Sequence, residues 1–171
     1  MSGQPGFDED RRRLLALAAG LALAPAASGG ATGWTPLRRV VTAEGPDGAA
    51  LVLADGEPGN SFVMNGTRVT RLWETPAVPA ALPVTEDLGA SAGNAYREGF
   101  RGASFYVAEI PPGIGEAEIP LHRQDTLDFM AVLAGRIVLK LPNRALELGA
   151  GDTLVQAGNL HTWENRFDAP C

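Results

Sequence analysis

The chain has 171 residues, a length that favours a single domain able to bury a core without disulfides. Apolar residues make up 45% of it, as in soluble globular proteins, and its net charge of −6 argues against a nucleic-acid partner, whose phosphates require a basic surface. The single cysteine, Cys171, excludes both an intramolecular disulfide and a zinc site built on cysteines.

The N-terminal segment, residues 1–26, has the pattern of an export signal. Three arginines at positions 11–13 precede an apolar run over 14–24 that is too short to span a bilayer, and small residues follow at 24–26. Residues 10–15 also resemble the twin-arginine (Tat) signal, which exports folded proteins. We therefore expect a periplasmic or exported protein with no stable membrane span. The alternative is an amphipathic or disordered arm on a cytoplasmic protein.

From Trp34 onward the chain alternates short β-type segments with turn signals and shows no helical periodicity. The segment 75–99, rich in Pro, Ala and Gly, predicts a long loop. Tight joins at 134–135, 142–143 and 149–151 predict successive hairpins in a meander or Greek key. We predict strands over 37–42, 49–53, 62–64, 69–74, 104–110, 126–133, 136–141, 144–148, 153–157 and 161–165.

Two motifs in the last third of the chain resemble those of the cupin superfamily. In the first, His122 and Gln124 take the positions of its two histidines, Asp128 takes that of its glutamate, and Gly135 that of its closing glycine. The second motif is matched, with Gln156 where its proline would stand, by Gly151, Gly158, His161 and Asn165.

The resemblance implies a fold and a division of the chain. It implies an all-β, double-stranded β-helix or jelly-roll cupin barrel over 111–171, of the small single-domain, type-2 kind, after a β-rich N-terminal extension and loop over 34–110. It also implies one more strand after residue 171. We therefore expect either a shortened barrel or a fragment of a longer sequence.

The resemblance also implies a metal centre, because cupin barrels hold iron, manganese, nickel or zinc through three histidines and a glutamate. This chain has two histidines, so His122, Asp128 and His161 would form a two-histidine, one-carboxylate set like that of non-haem Fe(II) oxygenases. Pleat alternation places Gln124 on the side of His122, where its oxygen adds a weak neutral ligand. The alternative is a protein without a metal, in which both histidines are hydrogen-bonded in a polar barrel mouth.

We expect the barrel to hold one small organic molecule in a pocket that includes Gln124, Met130 and Val132. Trp163 is expected to face away from the histidines and to pack. The segment 126–133 is apolar on both faces, as expected if one face lines the cavity and the other meets a second sheet or a partner subunit. Cupins of this size often dimerise by such packing, so the resemblance implies a homodimer.

Three functions remain open at this point. One is a metal-dependent enzyme of the oxygenase, isomerase or decarboxylase type. Another is a metal-free protein that binds or senses a small molecule, since fold alone does not fix function. The third is metal-free acid–base chemistry with His161 as the base and Asp128 orienting its partner.

Overall fold

The computed structural model describes residues 34–90 and 100–171, and Trp34–Cys171 form one compact unit. This described part is all-β, as predicted, with ten strands and no helix. It accordingly offers no helical segment with the length and apolarity needed to cross a bilayer. The predicted export segment, residues 1–26, lies outside the described residues, as do residues 91–99 of the predicted loop.

Every predicted strand is present, with ends that differ by a few residues. The alternation of half-buried and exposed side chains along most of them explains why the sequence pattern was sufficient. The strands are β1 (Arg39–Glu44), β2 (Ala50–Gly56), β3 (Ser61–Met64), β4 (Thr67–Thr75), β5 (Ala103–Glu109), β6 (Leu127–Ala131), β7 (Arg136–Leu141), β8 (Arg144–Gly149), β9 (Thr153–Ala157) and β10 (Thr162–Glu164).

These strands form four small antiparallel sheets, none of which is closed. Two sheets belong to the first part of the chain, the β1–β2 hairpin and the sheet β3–β4–β5. The other two are β6–β9 and β10–β7–β8.

The pairing of β6 corrects two of the predicted hairpins. The joins at 134–135 and 149–151 do not connect paired strands, because β6 pairs with β9 whereas β7 pairs with β8 and β10. Of the three joins, only 142–143 is a hairpin. The physical reason is burial: Ile137, Val138 and Leu139 are all buried, so β7 occupies the middle of a three-stranded sheet.

The pairings between residues 110 and 171 are nested one inside another. The β7–β8 hairpin is innermost, and outside it come β6 with β9, His122 with His161, and Ile110 with Cys171. The two halves of this segment therefore run as one antiparallel ribbon. Strand β10 then pairs with β7, which brings an outer part of the ribbon against its innermost hairpin.

Two glycines lie where the chain passes between the β6–β9 sheet and the β7–β8 pair. Gly135 connects β6 to β7, and Gly151 connects β8 to β9. Gly135 has φ +72° and Gly151 has φ +93°, a region in which a Cβ is strained. The N–H of Ala150 donates to the carbonyl of Gly135 at 3.2 Å, which holds the two corners together. A Cβ on Gly135 would also lie 2.2 Å from the carbonyl oxygen of Pro170, so the chain end packs directly on this corner.

Asn165 joins three segments from a fully buried position. Its Nδ2 donates to the carbonyls of Ile110 at 2.8 Å and Ala169 at 3.0 Å, and its Oδ1 accepts from the N–H of Phe167 at 3.1 Å. Because both side-chain atoms are already paired with backbone, Asn165 fixes the chain and has no group left for a ligand.

An ion pair attaches the described part of the long loop to β1. Arg39 binds Asp87 through both terminal nitrogens, at 2.7 and 2.6 Å, and also donates to the carbonyl of Leu72 at 2.9 Å. The hydrogen bond from Arg39 lowers the pKa of Asp87, with smaller contributions from its charge and from neighbouring backbone N–H groups. Both side chains are largely buried, so this pair is a structural tie.

The two faces of the β6–β9 sheet differ sharply. Asp128, Met130, Leu154 and Gln156 lie on the inner face and are buried or half-buried. The outer face exposes large apolar side chains, among them Phe129, which is 75% exposed and lies opposite Val155. Exposed apolar patches of this kind are typical of interaction sites.

Candidate functional site

The ribbon pairing places the two histidines of the chain side by side. The N–H of His122 donates to the carbonyl of His161 and the reverse bond is also made, both at 2.9 Å. Their ring centroids lie 4.3 Å apart with the planes inclined at 52°. The two imidazole rings are therefore neighbours.

Each imidazole is oriented by a backbone carbonyl two residues before it. Nδ1 of His122 lies 2.9 Å from the carbonyl oxygen of Pro120, and Nδ1 of His161 lies 2.9 Å from that of Asn159. A carbonyl only accepts, so each Nδ1 carries the hydrogen and each neutral ring keeps its lone pair on Nε2. Both Nε2 atoms are thereby left as bases or ligands, with their rings held in place.

Burial keeps His161 neutral. It is 4% exposed, and desolvation lowers its pKa below the ordinary value of 6.5. The nearby ring of His122 lowers the pKa further, while the bond to Asn159 and the charge of Asp128 act in the opposite direction. At pH 7 His161 is therefore an unprotonated imidazole.

Trp163 lies on the same side as His161, which corrects the prediction that it faces away. The two rings meet edge to face with centroids 6.0 Å apart. Residues 161 and 163 are two positions apart on an extended segment, so pleat alternation gives them a common face. Trp163 thus forms a wall beside the histidine pair.

The other predicted site residues are at varied positions around this pair. Asp128 is half-buried on the inner face of β6 and acts on His161 electrostatically. Gln124 is half-buried, and its backbone carbonyl lies against Gly158. Met130 is on the inner face of β6, whereas Val132 is at the ribbon corner, where its backbone bonds to Asp152 and Gly151.

The described side chains around the histidine pair supply part of a metal-binding set. Among residues 34–90 and 100–171, no three His, Cys, Asp or Glu side chains gather into a metal-binding group. The histidine pair, with ring centres 4.3 Å apart, supplies two neighbouring imidazole donors.

A cavity of about 340 Å³ includes in its lining Asn159 and Leu160, the two residues before His161, but neither histidine. Leu139 and Trp163 are cross-strand partners, so the cavity residue Leu139 shares a face with Trp163 and His161. Most of its lining is aliphatic, and its residues come from β7, β9 and the adjoining turns: Leu139, Leu141, Pro142, Asn143, Leu154, Val155, Gln156, Asn159 and Leu160.

None of the predicted pocket residues lines this cavity. Gln124, Met130 and Val132 are absent from its wall, and Gln156, which the sequence analysis used only as a motif mismatch, is present. The sequence did contain a signal for Gln156. Side chains alternate between the two faces of a strand, and residues 154 and 156 lie on the inner face of β9. A glutamine on that face is a buried polar group that needs an explanation.

A larger groove, of about 850 Å³, lies between β1, β4, β5 and the loop after β4. Its lining includes Val41, Trp73, Leu82 and Phe105. Its charged lining residues are Arg38 and Arg39, which are bound to Asp55 and Asp87, and Glu44. The rest of the lining is mostly apolar.

Cys171 has no features of a nucleophile. Its side chain is half-buried, and burial raises the pKa of the thiol. Its backbone closes the outermost pairing of the ribbon with Ile110, through hydrogen bonds of 2.8 and 3.0 Å.

No family model matches the chain, and no curated protein matches it either.

Proposed function

We propose that this protein is a small-molecule-binding member of the cupin type, built as a double-stranded β-helix. Two things support the proposal. The motif spacing brings His122, Asp128 and His161 to cupin-like positions, and the nested pairing of residues 110–171 is the connectivity that a coiled antiparallel ribbon requires.

The observation that carries the proposal is the histidine pair with two available Nε2 atoms. Two imidazoles at 4.3 Å, each fixed through Nδ1, form a polar anchor, and the lining of the mainly aliphatic cavity includes Asn159 and Leu160, the two residues before His161. Ligand sites in proteins have this composition: mostly apolar walls and a few oriented polar groups.

In the fuller form of the proposal, His122, His161 and Asp128 hold a divalent transition metal, iron, manganese, nickel or zinc. Bound there, the ion would supply Lewis-acid chemistry for an oxygenase, isomerase or decarboxylase type of reaction. The backbone carbonyls of Pro120 and Asn159 orient the imidazoles, burial keeps His161 unprotonated, and Trp163 packs edge to face against His161.

The second candidate is a metal-free protein that binds or senses its ligand. It is favoured by the partial donor set, because the described residues bring two metal-binding side chains together and not three. In this case the two Nε2 atoms accept hydrogen bonds from the ligand directly.

Metal titration of protein purified without a histidine tag separates the candidates. The metal form predicts about one equivalent of Zn²⁺ or Co²⁺ bound, and affinity lowered by about tenfold or more in His122→Ala and His161→Ala. Arg123→Ala is the control, because Arg123 is next to His122 but exposed. Wild-type protein that binds less than about a tenth of an equivalent leaves the metal-free candidate.

We also propose a homodimer formed through the outer face of the β6–β9 sheet. That face exposes Leu127, Phe129 and Val155 and carries no charged side chain. In a chain of net charge −6, a second copy can meet it there without like-charge repulsion.

We propose further that residues 1–26 direct export, on the basis of their arginines, apolar run and small residues. The intact mass of protein recovered from cells tests this. Loss of the first 26 residues is expected, and a retained Met1 contradicts export.

A further inference from the structure

Gln156 is buried without a hydrogen-bond partner. It is 3% exposed, and neither its Nε2 nor its Oε1 has a partner. In the described ranges, 34–90 and 100–171, it is the side chain with two buried polar atoms left unpaired. Proteins avoid this arrangement because such an amide loses its bonds to water and gains none.

The surroundings of Gln156 explain why no protein group satisfies it. It lies on the inner face of β9 and in the wall of the 340 Å³ cavity, next to aliphatic side chains such as Leu139, Leu141 and Leu154. The two other amides of the wall, Asn143 and Asn159, are exposed at the cavity rim. The Gln156 amide is therefore available to a molecule that enters the cavity.

The geometry of an amide limits what can satisfy it. Oε1 accepts and Nε2 donates in one plane, so a single partner that pairs with both must present a donor and an acceptor side by side. A carboxamide or lactam does so, and its remaining atoms can be apolar to match the walls.

The charges around the cavity select a neutral partner. The lining includes no Lys or Arg, and Asp128 is the cross-strand partner of Gln156. A carboxylate would be desolvated among leucines and placed near another carboxylate, and both effects disfavour it.

We propose that Gln156 is the recognition residue of this cavity and that the ligand is a small, uncharged, mainly apolar molecule carrying a carboxamide or lactam. The Gln156 amide forms paired hydrogen bonds with that group, one donated and one accepted. The inference deepens the proposed small-molecule function and rests on it, but it does not depend on whether a metal binds.

Three probes of nearly equal size test the proposal on the full chain. Benzamide offers a donor and an acceptor, acetophenone offers only the acceptor, and benzoate is an anion. Their dissociation constants are measured by ligand-observed NMR for wild type, Gln156→Leu and the control Thr153→Val, which changes an exposed residue of β9 outside the cavity lining. Wild type is expected to bind benzamide about tenfold or more tightly than acetophenone, and benzoate most weakly.

In Gln156→Leu the preference for benzamide over acetophenone is expected to disappear, with a ratio of about one, while Thr153→Val keeps the wild-type ratio. The melting temperature of Gln156→Leu should equal or exceed that of wild type, since the leucine leaves no unpaired amide.

Equal binding of benzamide and acetophenone to wild type overturns the inference and leaves the cavity function standing. A preference that survives in Gln156→Leu overturns it as well, as does a marked loss of stability in that variant, which would assign Gln156 a structural role through bound water. Failure of all three probes to bind overturns both this inference and the proposed function.

Discussion

Each histidine ring of this chain is fixed by one hydrogen bond from Nδ1 to a backbone carbonyl two residues earlier. The sequence places both residues through motif spacing, but the tautomer follows only from those carbonyls. Both rings leave Nε2 without the hydrogen. His161 is buried whereas His122 is half-buried, so the two Nε2 atoms differ in their exposure to solvent.

Protonation of His161 should weaken the fold as the pH falls. Its pKa is lowered in the folded state, so the unfolded chain binds the proton more readily and stability decreases as the pH drops below about 6.5. Well above 6.5, where both the folded and the unfolded chain are unprotonated at this residue, it contributes no pH dependence. We expect urea unfolding with a chelator present to show a loss of stability from pH 7.5 to 5.5 that is smaller in His161→Asn.

The ion-paired carboxylates lose their contribution to stability in a different pH range from His161. The pKa values of Asp55 and Asp87 are lowered from 3.8 by their arginine partners, so the stability they contribute is lost only at lower pH, below their ordinary range. An equal loss between pH 7.5 and 5.5 in wild type and His161→Asn would contradict the assignment to His161.

At the scale of elements, the strands followed from the sequence but their pairing did not. A glycine with positive φ permits a hairpin turn and a ribbon corner equally well, so the step at Gly135 carried no information on the partner of β6. The partner is set by long-range burial around Ile137–Leu139, which no local pattern contains. Gln156 shows the same limit, since alternation indicates the inner face but not the cavity.

The Gly135 corner should be sensitive to a single methyl group. Gly135→Ala places a Cβ 2.2 Å from the Pro170 carbonyl oxygen in addition to the positive-φ strain. The matched control is Gly48→Ala, because Gly48 has φ +77° but no atom within 4 Å of an added Cβ. Urea unfolding should show a loss of about 1 kcal/mol in Gly48→Ala and about 1–3 kcal/mol more in Gly135→Ala.

The two corner variants also test the placement of the chain end. Similar losses in Gly135→Ala and Gly48→Ala would mean that residues 169–171 do not pack on the corner. The outermost pairing of the ribbon, between Ile110 and Cys171, would then be in error.

At the scale of the whole molecule, the described residues bury few large apolar side chains and expose several. The buried apolar residues are Val69 and the three of β7, while Phe129, Leu133 and Val155 are largely exposed. A domain with a small core gains stability from association. This is the basis of the proposal that a second copy binds to the outer face of the β6–β9 sheet.

Analytical ultracentrifugation tests this association. Wild type is expected to sediment as a dimer at tens of micromolar and Phe129→Lys as a monomer, because the added charge would be buried at the contact. Val63→Lys is the control, since Val63 is similarly exposed but lies on β3. A monomeric wild type, or a dimer that survives in Phe129→Lys, contradicts the proposed interface.

The most direct test of the histidine anchor is a long-range ¹H–¹⁵N correlation spectrum of tag-free, ¹⁵N-histidine-labelled protein at pH 7.5, before and after Zn²⁺. Only two rings contribute signals, so each is assigned with one variant. The pair predicts hydrogen on Nδ1 in both rings, with both Nε2 resonances shifting together when metal binds. Hydrogen on Nε2 in either ring would contradict the pair, and a Zn²⁺ response confined to one ring would contradict the shared site.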